Sequence, residues 1–195
     1  MAKNKVGEHI INVQPIDQRT DTRKLLTSGI ESDDVDRRWN RYTCAICSLK
    51  MALSALDSRM QKEPIMKLTR EAEALNGYDV KHGWRHDALT GLAKKYGFKI
   101  FRMFPKTKEY RKRGLATIKK NILKGYPVIA SIYFKLNSTK GGHMIVINGI
   151  KIGEDGKVEG YYIVDPDTGF KGNKYSLTAR DFEHNWRGGL IYFLE

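Results

Sequence analysis

Three side chains that could combine in thiol chemistry lie far apart along the chain. Cys44 begins a segment with helical periodicity, His143 opens an apolar strand after two glycines, and Asp165 closes the next apolar strand before a proline. An imidazole can take the proton from a thiol, and a carboxylate can hold that imidazole in the tautomer and orientation the transfer needs. The pattern predicts a nucleophilic thiol hydrolase whose three side chains converge.

Two of these positions have a competing residue close by. Cys47 completes a Cys-x-x-Cys pair with Cys44, which also occurs as a thiol–disulfide redox couple at a helix start. Because Cys47 lies further into the predicted helix, burial as a small apolar residue is the simpler expectation for it. Asp167 follows Asp165 by two residues and is the alternative carboxylate for orienting His143.

A pair of histidines has the spacing of two metal ligands on one helix face. His82 and His86 are four residues apart. A zinc centre needs further His, Cys or acidic ligands, and the sequence around this pair offers no convincing ones. No metal site is predicted.

Hydrophobic periodicity predicts the elements that carry these residues. Apolar residues at helical spacing predict helices over 44–59, 65–75, 86–96, 108–124 and 176–186. Segments rich in β-branched and aromatic residues predict strands over 98–104, 128–134, 143–152, 157–164 and 189–194. Helices first and strands second predict an α+β fold with two lobes, the second built on an antiparallel sheet.

Length and composition are those of one globular domain. The chain has 195 residues, of which 41% are hydrophobic and 10% aromatic. We expect a single domain over 1–195, with a mainly helical lobe over about 1–125, an insertion near 19–43 and a sheet lobe over about 126–195. No apolar run reaches the roughly 18 residues of a membrane span. The first residues lack the apolar core of a signal peptide, so a cytoplasmic location is expected.

The formal net charge of +13 is concentrated between Lys94 and Lys124. No zinc-finger spacing or RNA-binding aromatic motif accompanies it, so no sequence-specific nucleic-acid binding is expected. A solvated helix face explains such a run, and an anionic polymer or surface is the functional alternative for a partner. Because the run excludes Cys44, His143 and Asp165, we expect the excess charge to lie mainly on a face away from the nucleophile.

The sequence around the three residues contains motifs that occur together in one family. They are Cys44-Ala-Ile-Cys-Ser-Leu-Lys-Met51, Gly142-His143 followed by an apolar strand and Gly149, Asp165-Pro166, and a terminal Phe182…Trp186 segment. In this order they resemble the papain-like cysteine peptidases of the bacteriocin-processing, double-glycine-peptidase-like group. The resemblance extends over roughly residues 10–195.

The resemblance implies a papain-like cysteine peptidase fold and a Cys-His-Asp triad. A helical lobe would carry Cys44, and an antiparallel sheet lobe would carry His143 and Asp165. The implied activity is hydrolysis of peptide or amide bonds through a thioester, with a peptide or protein substrate and no cofactor.

The same resemblance implies an amide donor for the oxyanion. The family usually has a Gln shortly before the nucleophile, where this chain has Arg38. Gln18 ends a segment similar to the family's strand and is the candidate, which makes the following residues up to 43 an insertion. Asn40 is the alternative because its amide is an equivalent donor.

Three other functions remain open on the sequence. A peptidoglycan-cleaving amidase or endopeptidase of phage or bacterial lysis would suit the basic composition. A binding module could keep the fold without activity. A thiol oxidoreductase would use Cys44 and Cys47.

Overall fold

The structure is a computed structural model that describes residues 6–18, 39, 42–104 and 106–194. Most of the insertion predicted near 19–43 lies outside the described residues, and so do Arg38 and Asn40. No helix in the described ranges combines the length and apolar character needed to cross a bilayer.

Among the described residues, three α-helices form the N-terminal lobe. They are α1 (Cys44–Ser54), α2 (Ile65–Ala74) and α3 (His86–Lys95). The predicted extension of α1 to Arg59 is wrong. Asp57 adopts an extended conformation and its side chain accepts a hydrogen bond from the Arg59 N–H, which starts a separate 3₁₀ turn over Ser58–Lys62.

Helix α1 is the centre of this lobe. Every residue from Ala45 to Leu53 is buried, because α2, α3 and the sheet cover all sides of the helix. A helix that is buried all round belongs to the core rather than to the surface. A hydrogen bond also joins α1 to the sheet: the Ser48 hydroxyl donates to the Met144 carbonyl at 2.9 Å.

The second lobe is built on a seven-stranded antiparallel sheet. In chain order the strands of the described residues are β1 (Gly7–Ile10), β2 (Tyr78–Asp79), β3 (Gly83–Trp84), β4 (Ile100–Met103), β5 (Val128–Tyr133), β6 (Gly142–Ile152), β7 (Val158–Val164), β8 (Lys174–Thr178) and β9 (Trp186–Phe193). The sheet order is β4-β9-β5-β6-β7-β8, with β1 on β6, while β2 and β3 form a separate hairpin. The predicted α+β fold is confirmed.

Helices cover the sheet on both faces. Ile129 and Val146 belong to the core that includes α1, whereas Val128 and Ile145 belong to a second core. This alternation follows from the period of two in a strand. The second core also includes residues of α4 (Lys108–Leu123) and α6 (Ala179–Asn185), and a short helix α5 (Thr168–Lys171) follows β7.

The helix predicted over 176–186 is partly wrong. Residues Lys174–Thr178 pair with β7 instead, with Tyr175 opposite Ile163. Helix α6 begins only after Thr178, whose hydroxyl accepts a hydrogen bond from the Asp181 N–H at 3.0 Å. This cap fixes the helix start and leaves the preceding residues free to extend as β8.

Candidate active site

Helix α1 places Cys44 at the boundary between the two lobes. Cys44 is the first residue of the helix and is partly exposed. The N–H groups of a first helical turn lack intrahelical acceptors, so they favour a negative charge there. Thr43 occupies the N-cap position of α1 but makes no side-chain capping hydrogen bond. The position of the thiol therefore depends on the packing of α1 and on the Ser48–Met144 hydrogen bond.

The structure brings His143 and Asp165 together. His143 Nε2 lies 2.6 Å from Asp165 Oδ1, and both side chains are buried. His143 also hydrogen-bonds the side chain of Cys44, and with Nε2 occupied by Asp165, Nδ1 is the nitrogen available to the thiol. The imidazole thus lies between the thiol and the carboxylate.

The electrostatics of this pair favour a charged imidazole. Burial alone lowers the pKa of His143, but the hydrogen bonds with Asp165 and Cys44, and their negative charges, outweigh burial and raise that pKa to about 10. The two partners therefore stabilise the protonated form of the ring from both sides.

Asp165 is held by donors on both of its oxygens. Oδ1 accepts the Asp167 N–H at 2.8 Å in addition to His143, and Oδ2 accepts the Tyr175 hydroxyl at 2.8 Å. Burial and then the charge of Asp165 raise the pKa of Tyr175, so its hydroxyl remains a donor. Tyr175 is not among the residues predicted from the sequence, because a helix is predicted directly beside it, over 176–186. Its alternation with Leu177 is the signal that could have revealed the strand.

Asp167 does not occupy the position that the alternative assignment gave it. Its side chain accepts the Gly169 N–H at 2.9 Å and caps helix α5. Its backbone N–H supports Asp165, and Asp165 is the carboxylate that contacts His143.

Gln18 lies in the same cleft as Cys44 and His143 and is buried. Its backbone N–H donates to the Pro166 carbonyl at 3.0 Å, which ties this segment to the turn that carries Asp165. Asn40, the alternative amide donor, lies outside the described residues.

The cleft between the lobes has a volume of about 1290 Å³. Aromatic residues of the β2–β3 hairpin form one wall, where Tyr78 and Trp84 pack with ring centroids 5.2 Å apart. The Trp84 indole N–H donates to the Tyr42 carbonyl, which joins the hairpin to the residues just before Cys44. This hairpin is not predicted from the sequence, because its two strands are too short to show alternation.

The remaining candidates take no part in this cluster. Cys47 is fully buried within α1 and forms no disulfide with Cys44. His82 is exposed, and its Nδ1 lies 2.8 Å from Asp79 Oδ1. Across the described ranges no group of three or more His, Cys, Asp or Glu residues is arranged to hold a metal ion.

The distribution of charge differs from the expectation in one respect. Arg102 belongs to the basic run between Lys94 and Lys124, yet it lines the cleft that contains Cys44. The reason is the pairing of β4 with β9. This pairing places Arg102 opposite Ile191 and brings it to the edge of the cleft.

His86 forms part of the floor of the cleft. Its ring packs on Phe104 with centroids 4.4 Å apart and lies close enough to Gly189 that a side chain there would collide with it. Burial, followed by the charges of Arg102 and Arg187, lowers the pKa of His86 to about 4, against a smaller opposing effect of Asp87. The ring is therefore neutral at pH 7.

Because the His86 ring is neutral in the folded protein, we expect the protein to lose stability in mild acid. Between pH 6.5 and 4 the unfolded chain binds a proton at residue 86 that the folded chain does not. The free energy of unfolding should therefore fall by about 3 kcal/mol between pH 6.5 and 4. Below pH 4 this histidine should cause no further change. Urea unfolding at a series of pH values measures it. His86→Gln should lose this part of the pH dependence, while the exposed His184→Gln should retain it. Equal pH dependence in all three proteins would contradict the assignment.

The fold and the site together define a class of protein. A thiol at the start of a central helix faces an imidazole on an antiparallel sheet across the junction of two lobes, as in papain-like cysteine peptidases. Comparison with protein families is more specific. Residues 10–188 match the Peptidase C39 like family, and the chain belongs to that family.

Solved structures share the fold at low sequence identity. The peptidase domain of Streptococcus ComA, a bifunctional ABC transporter involved in quorum sensing, is 17% identical with a TM-score of 0.54, over 79% of this chain and 93% of that one. A double glycine motif protease from an AMS/PCAT transporter, in complex with a leader peptide, is 16% identical with a TM-score of 0.51, over 97% of each chain. At these identities the similarity shows the fold. No curated protein matches the chain.

Proposed function

We propose that this chain hydrolyses peptide bonds by attack of Cys44 on the scissile carbonyl, with His143 and Asp165 completing a triad. The observation that carries the proposal is the single imidazole that hydrogen-bonds Asp165 on one side and Cys44 on the other. Membership of a peptidase family and the open cleft beside the thiol also support it.

In the proposed reaction each of these side chains has its own role. His143 holds the proton of the thiol, and the Cys44 sulfur attacks the carbonyl carbon to form a tetrahedral oxyanion. His143 then gives its proton to the leaving amine as the C–N bond breaks, which leaves a thioester on Cys44. A water molecule, deprotonated by His143, attacks the thioester and releases the carboxylic acid. Asp165 stabilises the imidazolium in each step at which it forms.

An oxyanion needs two donors, and we assign these to the Cys44 backbone N–H and the Gln18 side-chain amide. Gln18 is buried in the wall of the cleft, and its backbone is fixed to Pro166. Gln18→Ala should lower kcat/KM by about 100- to 1,000-fold, because one donor to the developing negative charge is lost. Gln14 lies on the same segment but is exposed and outside the cleft, so Gln14→Ala is the matched control. A Gln18→Ala protein with wild-type turnover would remove Gln18 from the role.

Two measurements test the proposed function. Iodoacetamide followed by peptide mapping should modify Cys44 far faster than buried Cys47, and a substrate should protect it. The first substrate to try is a leader-type peptide with a Gly-Gly pair, because a protease of the same fold was solved with a leader peptide. Mass spectrometry should detect cleavage at one bond. Absence of cleavage across a broad peptide panel, with the protein folded, would contradict the proposal.

A further inference from the structure

The cleft contains more positive charge than the proposed hydrolysis uses. Besides His143, the described residues that line it include four Lys or Arg side chains and two carboxylates. The cations are Lys81, Arg85, Arg102 and Arg187, and the carboxylates are Asp87 and Asp167.

Both carboxylates are already engaged. Arg85 binds Asp87 through two nitrogens, at 3.2 Å and 2.7 Å. Asp167 is buried and caps helix α5. In the described part of the chain, Arg102 and Arg187 therefore make no ion pair with a carboxylate, although both are exposed to solvent.

A local irregularity of β9 accompanies the position of Arg187. The register between β5 and β9 shifts between Ala130 and Ile132. On the β9 side, Gly188 has φ of 98°, a left-handed conformation that favours glycine. A bulge of this kind redirects a neighbouring side chain and is common beside active sites.

The guanidinium of Arg187 is held beside the proposed triad. It lies against Gly142, where a side chain would overlap it, and 5.7 Å from the centre of the Tyr133 ring. Gly142 immediately precedes His143. The small residue at 142 therefore provides the space in which Arg187 sits next to the imidazole.

Arg102 approaches the same region from the neighbouring strand. It lies on β4 opposite Ile191 of β9 and lines the same cleft. After burial, the charges of Arg102 and Arg187 are what lowers the pKa of His86. Both guanidinium groups therefore act on one ring at the floor of the cleft, although they come from different strands.

We propose that Arg102 and Arg187 form an anion-binding subsite that recognises a carboxylate of the peptide substrate. The guanidinium group offers a planar set of donors that matches a carboxylate, and a cleft focuses the field of its charges. The carboxylate is that of a Glu or Asp side chain or that of the peptide C-terminus. This inference rests on the proposed peptidase function, because it names the chemistry of the substrate.

The experiment measures binding separately from turnover. Fluorescent short peptides containing Gly-Gly are made in matched pairs with Glu or Gln at one position at a time, each with a free or an amidated C-terminus. Fluorescence anisotropy gives their Kd for the Cys44→Ala protein, and kcat/KM is measured for the wild type. The variants Arg102→Gln and Arg187→Gln are compared with Arg180→Gln, which replaces an exposed arginine on α6 outside the cleft.

For one of the substituted peptide positions, we expect the peptide with Glu to bind about tenfold more tightly at low salt than the matched peptide with Gln. Each cleft variant should reduce this ratio to below about threefold, and Arg180→Gln should leave it unchanged. Raising salt from about 0.05 M to 0.5 M should lower the ratio, because exposed charges are screened. A preference for the free C-terminus instead of Glu identifies that carboxylate as the ligand.

Three results would overturn the subsite. They are equal Kd values within every pair, a preference that survives in the Arg102→Gln/Arg187→Gln double variant, and no binding of any peptide. Wild-type protein that cleaves Glu and Gln peptides equally leaves the peptidase proposal in place and removes the subsite. Selective binding of acidic peptides without cleavage supports the subsite and contradicts the peptidase proposal.

Discussion

Replacing Cys44 with alanine is expected to reduce peptide hydrolysis by at least about 10⁴-fold, to the background of the assay. The thiol is the only group in the cluster that can form the covalent intermediate, and removing one member of a triad removes most of what the whole triad contributes. The measurement is kcat/KM with a cleaved peptide, supported by the disappearance of the rapidly alkylated thiol.

The chain supplies its own control for this substitution. Cys47 lies one helical turn further along α1 and is fully buried. Cys47→Ala removes a thiol from the same helix without touching the cleft, so it should keep kcat/KM within about threefold and cost a modest amount of stability. Loss of activity in Cys47→Ala with the fold preserved would favour a Cys-x-x-Cys redox pair. Hydrolysis that survives in Cys44→Ala would exclude Cys44 as the nucleophile.

The elements that carry Cys44, His143 and Asp165 could be predicted because local sequence determines each of them. The apolar strand behind His143 has β-branched residues on both faces, which is the pattern of a strand covered on two sides. The hairpin that joins β6 to β7 is marked by a Gly-containing turn, Glu154-Asp155-Gly156, so the adjacency of His143 and Asp165 followed from the chain order alone.

The residues that sequence reasoning missed are those placed by long-range packing. Tyr175 reaches Asp165 only because β8 pairs with β7, and the alternation of Tyr175 with Leu177 is the single local sign that residues 174–178 form a strand. Arg187 occupies space left by Gly142, which lies on a different strand. The first contact depends on the register between two strands, and the second depends on a glycine in a different strand. Neither can be inferred from the residues next to Tyr175 or Arg187 in the sequence.

The support of Asp165 explains what its replacement should do. Both of its oxygens accept hydrogen bonds, from His143 and the Asp167 N–H on Oδ1 and from the Tyr175 hydroxyl on Oδ2. In Asp165→Asn, an amide oxygen can replace Oδ1 while the Tyr175 hydroxyl rotates to accept from the new NH₂ group. The substitution therefore preserves the geometry and the fold and removes the negative charge.

Asp165→Asn is accordingly expected to lower kcat/KM by about 10²- to 10⁴-fold, because the imidazolium formed in each step loses its stabilising carboxylate. It should also lower the pKa of His143. A folded-state pKa near 10 contributes stability that is complete below pH 6.5 and is lost as the pH rises toward 10. Urea unfolding between pH 6.5 and 10 should therefore show a smaller loss of stability in the variant than in the wild type.

Two neighbouring substitutions separate this charge effect from simple disturbance of the site. Tyr175→Phe removes one hydrogen bond to Asp165 but keeps the carboxylate, so it should lower kcat/KM by less than about tenfold and retain the alkaline loss of stability. Asp167→Asn keeps the backbone N–H that supports Asp165 and should behave in the same way. If Tyr175→Phe matched Asp165→Asn in both readouts, the contribution of Asp165 would be positional rather than electrostatic. If Asp165→Asn turned over like the wild type, His143 would not depend on that carboxylate, and the triad would reduce to the Cys44–His143 pair.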